Sequence, residues 1–102
     1  MSSHWTRGLP ITKNDEYLDF IRSMPCCVTG VMGSVVAHHV RSLGSAGIGV
    51  KPTDYLAVPL VAEIHMKLHN VGEAEFWEDI CDPRDIIIAC IVEWLTMKGG
   101  EK

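Results

Sequence analysis

Between Val35 and Pro52 the chain reads VVAHHVRSLGSAGIGVKP, and between Glu63 and His69 it reads EIHMKLH. Four of its five histidines stand in these two pairs. His38 and His39 fall at the end of an apolar run that reads as a strand, just ahead of a loop with three glycines and a proline. His65 and His69 are spaced i, i+4, which puts both imidazoles on one helix face and within reach of one ion. A strand beside that helix brings a third imidazole into the same sphere. Three protein ligands with positions left open is the pattern of a catalytic metal; a structural metal closes its sphere. The fourth histidine is then left for proton transfer, a task its ordinary pKa suits. An i, i+4 histidine pair by itself is an ordinary surface pattern, and HH is a weaker signal still. Two pairs about 25 residues apart, bracketing a glycine-rich loop in a chain of 102 residues, point to a metal site.

The neighbouring segments supply the frame. NDEYLDFIRSM reads as a helix: Asn14 caps it, Asp15 and Glu16 suit its positive end, Tyr17, Phe20 and Ile21 share a face, and Pro25 stops it. CCVTGVMGSVVAHHV reads as two short strands, 26–29 and 34–40, joined by a turn at Gly30–Gly33. YLAVPLV is a further strand that Pro59 confines to an edge. VAEIHMKLHNVG reads as a helix stopped near Gly72, and EAEFWEDI as a second, short one. Asp82 and Pro83 make an N-cap and first-turn pair for a last helix, with Ile87, Cys90, Ile91, Trp94 and Leu95 on its apolar face and Gly99 at its end. Trp77 and Trp94 read as core residues. No internal repeat or low-complexity segment interrupts this order.

Composition narrows the class. A chain of 102 residues, 47% hydrophobic, suits one domain with one modest core. It has no apolar run long enough for a transmembrane helix and no apolar start typical of a secretory signal. Cys26 and Cys27 are adjacent, a poor match to a disulfide framework, so four reduced cysteines and a cytoplasmic protein are expected. The net charge is −4, which argues against a simple polyanion binder, but it is unevenly spread. Residues 1–69 carry six Lys/Arg against five Asp/Glu, and residues 70–102 carry three against eight. The histidine region is thus neutral to slightly basic. The C-terminal carboxylates, Glu73 among them, read as a solvated acidic face.

The order strand, strand ending in HH, glycine loop, helix with H-x-x-x-H resembles the HNH, or ββα-metal, nucleases. The closer resemblance is to small phage and prophage nucleases of that superfamily. It is carried by PCCVTG (Pro25–Gly30), AHHV (Ala37–Val40), GIGVKPTD (Gly47–Asp54), PLVAEIHMKLH (Pro59–His69) and GEAEFWED (Gly72–Asp79). The H-x-x-x-H ending is also similar to that of the DNase colicins. The resemblance spans about residues 14–80. It implies an α+β fold: one domain over 1–102, a ββα-metal core about 26–72, and flanking helices, the C-terminal one about 83–98.

The activity implied is metal-assisted hydrolysis of DNA phosphodiester bonds. His39 would be the general base, and His38, His65 and His69 would hold a divalent cation, Mg²⁺ or Mn²⁺ as the working ion, with Zn²⁺ or Ni²⁺ also suited to three imidazoles. Products would carry 3′-hydroxyl and 5′-phosphate ends. Successive strand residues point to opposite faces, so both histidines serve one site only if the strand twists or bulges there, and their roles are open to reversal. Arg41, Lys51 and Lys67 flank the histidines and are the expected phosphate contacts, and Asp54 is expected to brace the loop. So few cations imply help from a homo-oligomer or from a recombination or replication protein, in the cytoplasm of a bacterial host. Two rivals are a non-catalytic DNA-binding or recombination-accessory protein on the same fold, and a structural metal module closed by all four histidines.

One departure from the relatives is informative. Many of them hold a structural zinc on two CxxC knuckles. The matching positions here are Cys26, Thr29, Val61 and Ile64, so three of four ligands are missing. No structural zinc is expected, and Val61 and Ile64 are expected to pack as a small apolar cluster in its place. Cys90, on the apolar face of the last helix, is expected to be a buried thiol.

Overall fold

The computed structural model describes residues 12–41 and 53–100. Helix α1 (Asp15–Arg22) is followed by strand β1 (Val35–His39), a single 3₁₀ turn (Asp54–Leu56), strand β2 (Ala57–Val61) and helices α2 (Ala62–Val71), α3 (Glu73–Glu78) and α4 (Pro83–Gly99). This is an α+β arrangement of four helices around a two-stranded antiparallel sheet. The glycine loop and Lys51 lie outside the described residues.

The helix starts follow their capping residues. The Asn14 side chain accepts the Tyr17 N–H, and Asp82 accepts the Arg84 N–H with Pro83 in the first turn of α4. Gly72, at φ +106°, ends α2, its N–H bonding the Leu68 carbonyl, and lets α3 start at the next residue.

The strand pairing differs from the sequence reading. Residues 26–29 form turns, not a strand: the Cys26 N–H bonds the Val31 carbonyl and the Gly30 N–H returns to the Cys26 carbonyl, both at 2.8 Å. Gly30 and Gly33 take positive φ, a conformation that suits tight turns and breaks a ladder. The partner of β1 is β2, in the register Val35↔Val61 through His39↔Ala57. Pro59 is tolerated there for a geometric reason. Its carbonyl accepts the Cys27 N–H at 2.9 Å, on the side away from β1. A strand residue's N–H and C=O point the same way, so the missing donor falls on the outer edge and costs no ladder bond.

The two faces of this ribbon bury different things. Val58 and Leu60 join Cys26, Leu68 of α2, Phe76 and Trp77 of α3, and Ile87 of α4 in one core cluster. Ala57 joins Tyr17 and Ile21 of α1 and Cys90 and Trp94 of α4 in the other. Trp94 stands edge-on to Tyr17, with ring centroids 5.4 Å apart, and also meets Phe20, so aromatic contact locks α1 to α4. Trp77, Trp94 and Cys90 are buried as expected. Leu95 is not: it is 62% exposed. The buried stripe runs Ile87, Cys90, Trp94, and Leu95 lies about 100° round the helix from Trp94. All four cysteines are free thiols. No helix among the described residues is long and apolar enough to cross a membrane.

Candidate metal centre

The ladder from Val35 to His39 is one-to-one, with no extra residue in either strand. The histidine pair is therefore split between the faces of the sheet. His38, opposite Val58, turns toward α2 and α3; His39, opposite Ala57, turns toward Asp54 and the cap of α1.

On the first face, His38 meets the α2 histidines. Its ring centroid lies 5.0 Å from that of His65 and 6.0 Å from that of His69, and the latter two are 4.5 Å apart. One potential ligand atom from each of the three lies within 4.8 Å of the others, the one such grouping of three or more His, Cys, Asp or Glu side chains among the described residues. The Nε2 atoms of His65 and His69 are 3.1 Å apart. Two imidazole nitrogens on one tetrahedral ion at about 2.0–2.1 Å would stand roughly 3.3 Å apart, so the helix pair already has a coordinating spacing. The donor set fits a divalent cation. Burial grades from buried His38 through half-buried His65 to exposed His69, so the cluster opens to solvent on the α2 side. Burial, and then the proximity of His38 and His69, hold His65 below the usual histidine pKa. Both favour the neutral imidazole, the form that ligates.

Two carboxylates stand behind the HH pair. Glu73, the first residue of α3, lies 2.8 Å from His38 Nε2 through its Oε2, which also accepts the Trp77 Nε1–H at 3.1 Å, while its Oε1 accepts the Arg41 backbone N–H at 2.9 Å. Burial raises the Glu73 carboxyl, but its bonds from His38, Trp77 and Arg41 outweigh that and leave it below its ordinary pKa. On the other face, Asp54 Oδ1 lies 2.8 Å from His39 Nε2, and its Oδ2 accepts the Asn14 backbone N–H at 2.6 Å. Burial is again outweighed, here by His39, Asn14 and Lys13, and Asp54 also sits below its ordinary pKa. An ionised carboxylate only accepts hydrogen bonds. In a neutral imidazole each pairing therefore calls for the proton on Nε2 and leaves Nδ1 as the acceptor.

Asp54 thus does more than support the loop: it holds His39. Its depressed pKa has a pH consequence. A carboxylate whose pKa is lower folded than unfolded stabilises the fold above the unfolded value, about 3.9, and loses that contribution as pH falls through the folded value. Asp54→Asn is expected to cost about 1.5–3 kcal/mol at pH 7, with the gap to the parent narrowing below pH 4; urea midpoints at pH 7 and pH 3 check this.

Sequence reasoning missed Glu73, which it assigned to the solvated acidic face. The Glu73 side chain is 18% exposed and accepts three donors. Arg41 is exposed and tied to the site through its backbone bond to Glu73. Lys67 is also exposed, but it lies about 200° round α2 from both His65 and His69, away from their shared edge.

The positions of the missing zinc knuckles converge. Thr29, Val61 and Ile64 line one surface groove, and Val61 and Ile64 pack against the cluster that contains Cys26. Burial raises the Cys26 thiol, but hydrogen bonds from Thr29, Val61 and Val28 bring it below the usual value. One thiol, one hydroxyl and two alkyl groups do not make a zinc site. Exhaustive chelation is accordingly expected to leave the chain folded by far-UV circular dichroism, with the thermal midpoint lowered by no more than the ion at the three imidazoles contributes. Unfolding on chelation would require a site built from Cys26, Cys27, Cys81 or Cys90.

Fold and site together define a small α+β protein with a three-imidazole cluster flanked by two histidine–carboxylate pairs. The chain belongs to the family of proteins of unknown function DUF968, whose model matches residues 9–81. That span holds both histidine pairs, Asp54, Glu73 and Trp77 and stops before α4. No curated protein and no solved structure matches the chain.

Proposed function

We propose that this protein is a metal-dependent DNA endonuclease with a ββα-metal core formed by β1, β2 and α2. The observation that carries the reading is the convergence of His38, from a strand end, with His65 and His69, from the following helix. A divalent cation, Mg²⁺ or Mn²⁺ in turnover, would supply Lewis-acid polarisation of the phosphodiester and stabilise charge on the leaving oxygen. The chain's own residues do the rest. Asp54 keeps His39 in the Nε2–H form, so Nδ1 is the acceptor for a proton from water. The Asn14 N–H fixes Asp54 in turn, giving the base an anchored orienting partner. Arg41, exposed and tied to Glu73 through its backbone N–H, would meet a phosphate beside the site, with Lys51 as a second expected contact, whereas Lys67, on the far side of α2 from the histidine edge, would meet only a more distant one.

The split of the HH pair constrains the substrate. His38 and His39 leave β1 on opposite faces with no bulge between them, so this reading requires the scissile phosphate to lie across the strand end, within reach of both. A supercoiled-plasmid nicking assay with Mg²⁺, Mn²⁺, Ni²⁺ or Zn²⁺, each against chelator, tests the reading. Nicking that requires an added cation and is lost in His38→Ala supports it. DNA binding without nicking under any cation would turn the assignment to a DNA-binding or recombination-accessory role.

A further inference from the structure

Glu73 has no place in the reaction just described, yet it is among the most constrained side chains around the site. It is the first residue of α3, directly after the left-handed Gly72 that lets the chain turn from α2. Its position is therefore set by the same helix that carries His65 and His69. Its two oxygens take three donors from three parts of the chain: His38 at the end of β1, the Arg41 backbone just beyond it, and Trp77 one turn along α3. Trp77 is buried in the core, so the carboxylate is anchored to the rigid interior. A surface carboxylate that merely suits a helix N-terminus needs none of these partners. Glu73 is also absent from the grouping of atoms that lie within 4.8 Å of one another. It stands behind His38, outside the sphere of the three imidazoles.

We propose that Glu73 is the positioning residue of the metal centre, holding His38 in the Nε2–H tautomer so that Nδ1 is the atom offered to the cation. The assignment rests on the metal-site reading above. Its physics is simple. A neutral imidazole has one lone pair, and the partner of the other nitrogen decides which atom carries it. Glu73 fixes that choice before any ion arrives, orients the ring, and raises its donor strength through the negative charge behind it. Supporting carboxylates of this kind are worth roughly 10–100-fold in metal affinity. Trp77 and the Arg41 N–H restrain the carboxylate from swinging into the sphere itself.

The test uses the full chain and Zn²⁺ alone as the probe, so it does not depend on DNA cleavage. Long-range ¹H–¹⁵N spectra of the metal-free protein report the His38 tautomer directly, and the expected form carries the proton on Nε2. Glu73→Ala is expected to weaken Zn²⁺ binding by roughly 10–100-fold in calorimetry and to give a mixture of His38 tautomers. Glu73→Gln keeps an oxygen acceptor toward His38 and is expected to restore the Nε2–H form and to recover part of the affinity. A parent protein with His38 protonated on Nδ1 would overturn the proposal without any variant. Equal Zn²⁺ affinity in the parent and Glu73→Ala would overturn it alone, leaving the metal centre standing. A parent protein that binds no Zn²⁺ would remove the metal-centre reading and this assignment with it.

Discussion

His39→Ala is expected to lower plasmid nicking by roughly 10²–10⁴-fold, the usual worth of a general base, while leaving cation affinity within about twofold of the parent. The two halves of that expectation come from the split of the HH pair across the sheet. His38 faces α2, where the other two imidazoles are; His39 faces Asp54 and the cap of α1. Removing His39 takes nothing from the three-imidazole cluster, so binding should survive. It does remove the imidazole whose Nε2 is bonded to Asp54, the carboxylate held by the Asn14 backbone N–H on the face away from that cluster. The fold should also survive, with some loss of stability: the His39 side chain is only 15% exposed, and removing it leaves the buried Asp54 carboxylate one partner short. Nicking and calorimetry on the same preparation separate the outcomes. Loss of cation binding in this variant would move His39 into the coordination sphere and reverse the roles of the pair.

The helices were legible because each carries its own punctuation: Asn14, Gly72 and the Asp82–Pro83 pair act on their nearest turns, and local chemistry is what a sequence displays. The three imidazoles were legible for a similar reason. An i, i+4 pair on a helix and a histidine at a strand end are local patterns, and only their meeting needed the fold. The first strand was misplaced because Cys26–Thr29 looks like a strand in isolation, while the two positive-φ glycines that follow close it into turns. Pro59 seemed to weaken β2, and only the pairing shows that its missing N–H faces outward. The carboxylates were hidden most completely. Asp54 is 15 residues from His39, and Glu73 is 35 from His38. Each also has a sufficient local explanation, a turn after Pro52 in one case and a helix N-terminus in the other. A residue that satisfies a local rule gives no sign of a distant partner.

His65→Ala and His69→Ala are each expected to weaken cation binding by more than the roughly 10–100-fold that a lost supporting hydrogen bond costs, and to lower nicking in proportion. Each substitution removes a nitrogen that already stands 3.1 Å from its neighbour's, at coordinating spacing. Neither should do much to the fold: His65 is half-buried and His69 exposed, and alanine favours a helix interior. The pair should also act as a unit. Once one α2 imidazole is gone, His38 and the survivor form at best a two-point site, and removing the survivor costs less than it did from the intact cluster. The double variant is therefore expected to bind and cut little worse than either single one, with all three melting within a few degrees of the parent. This non-additivity separates a shared ion from two independent contributions to DNA binding, which would instead multiply. Full activity in either single variant would rule out the helix pair as ligands, and with it the nuclease reading built on their meeting with His38.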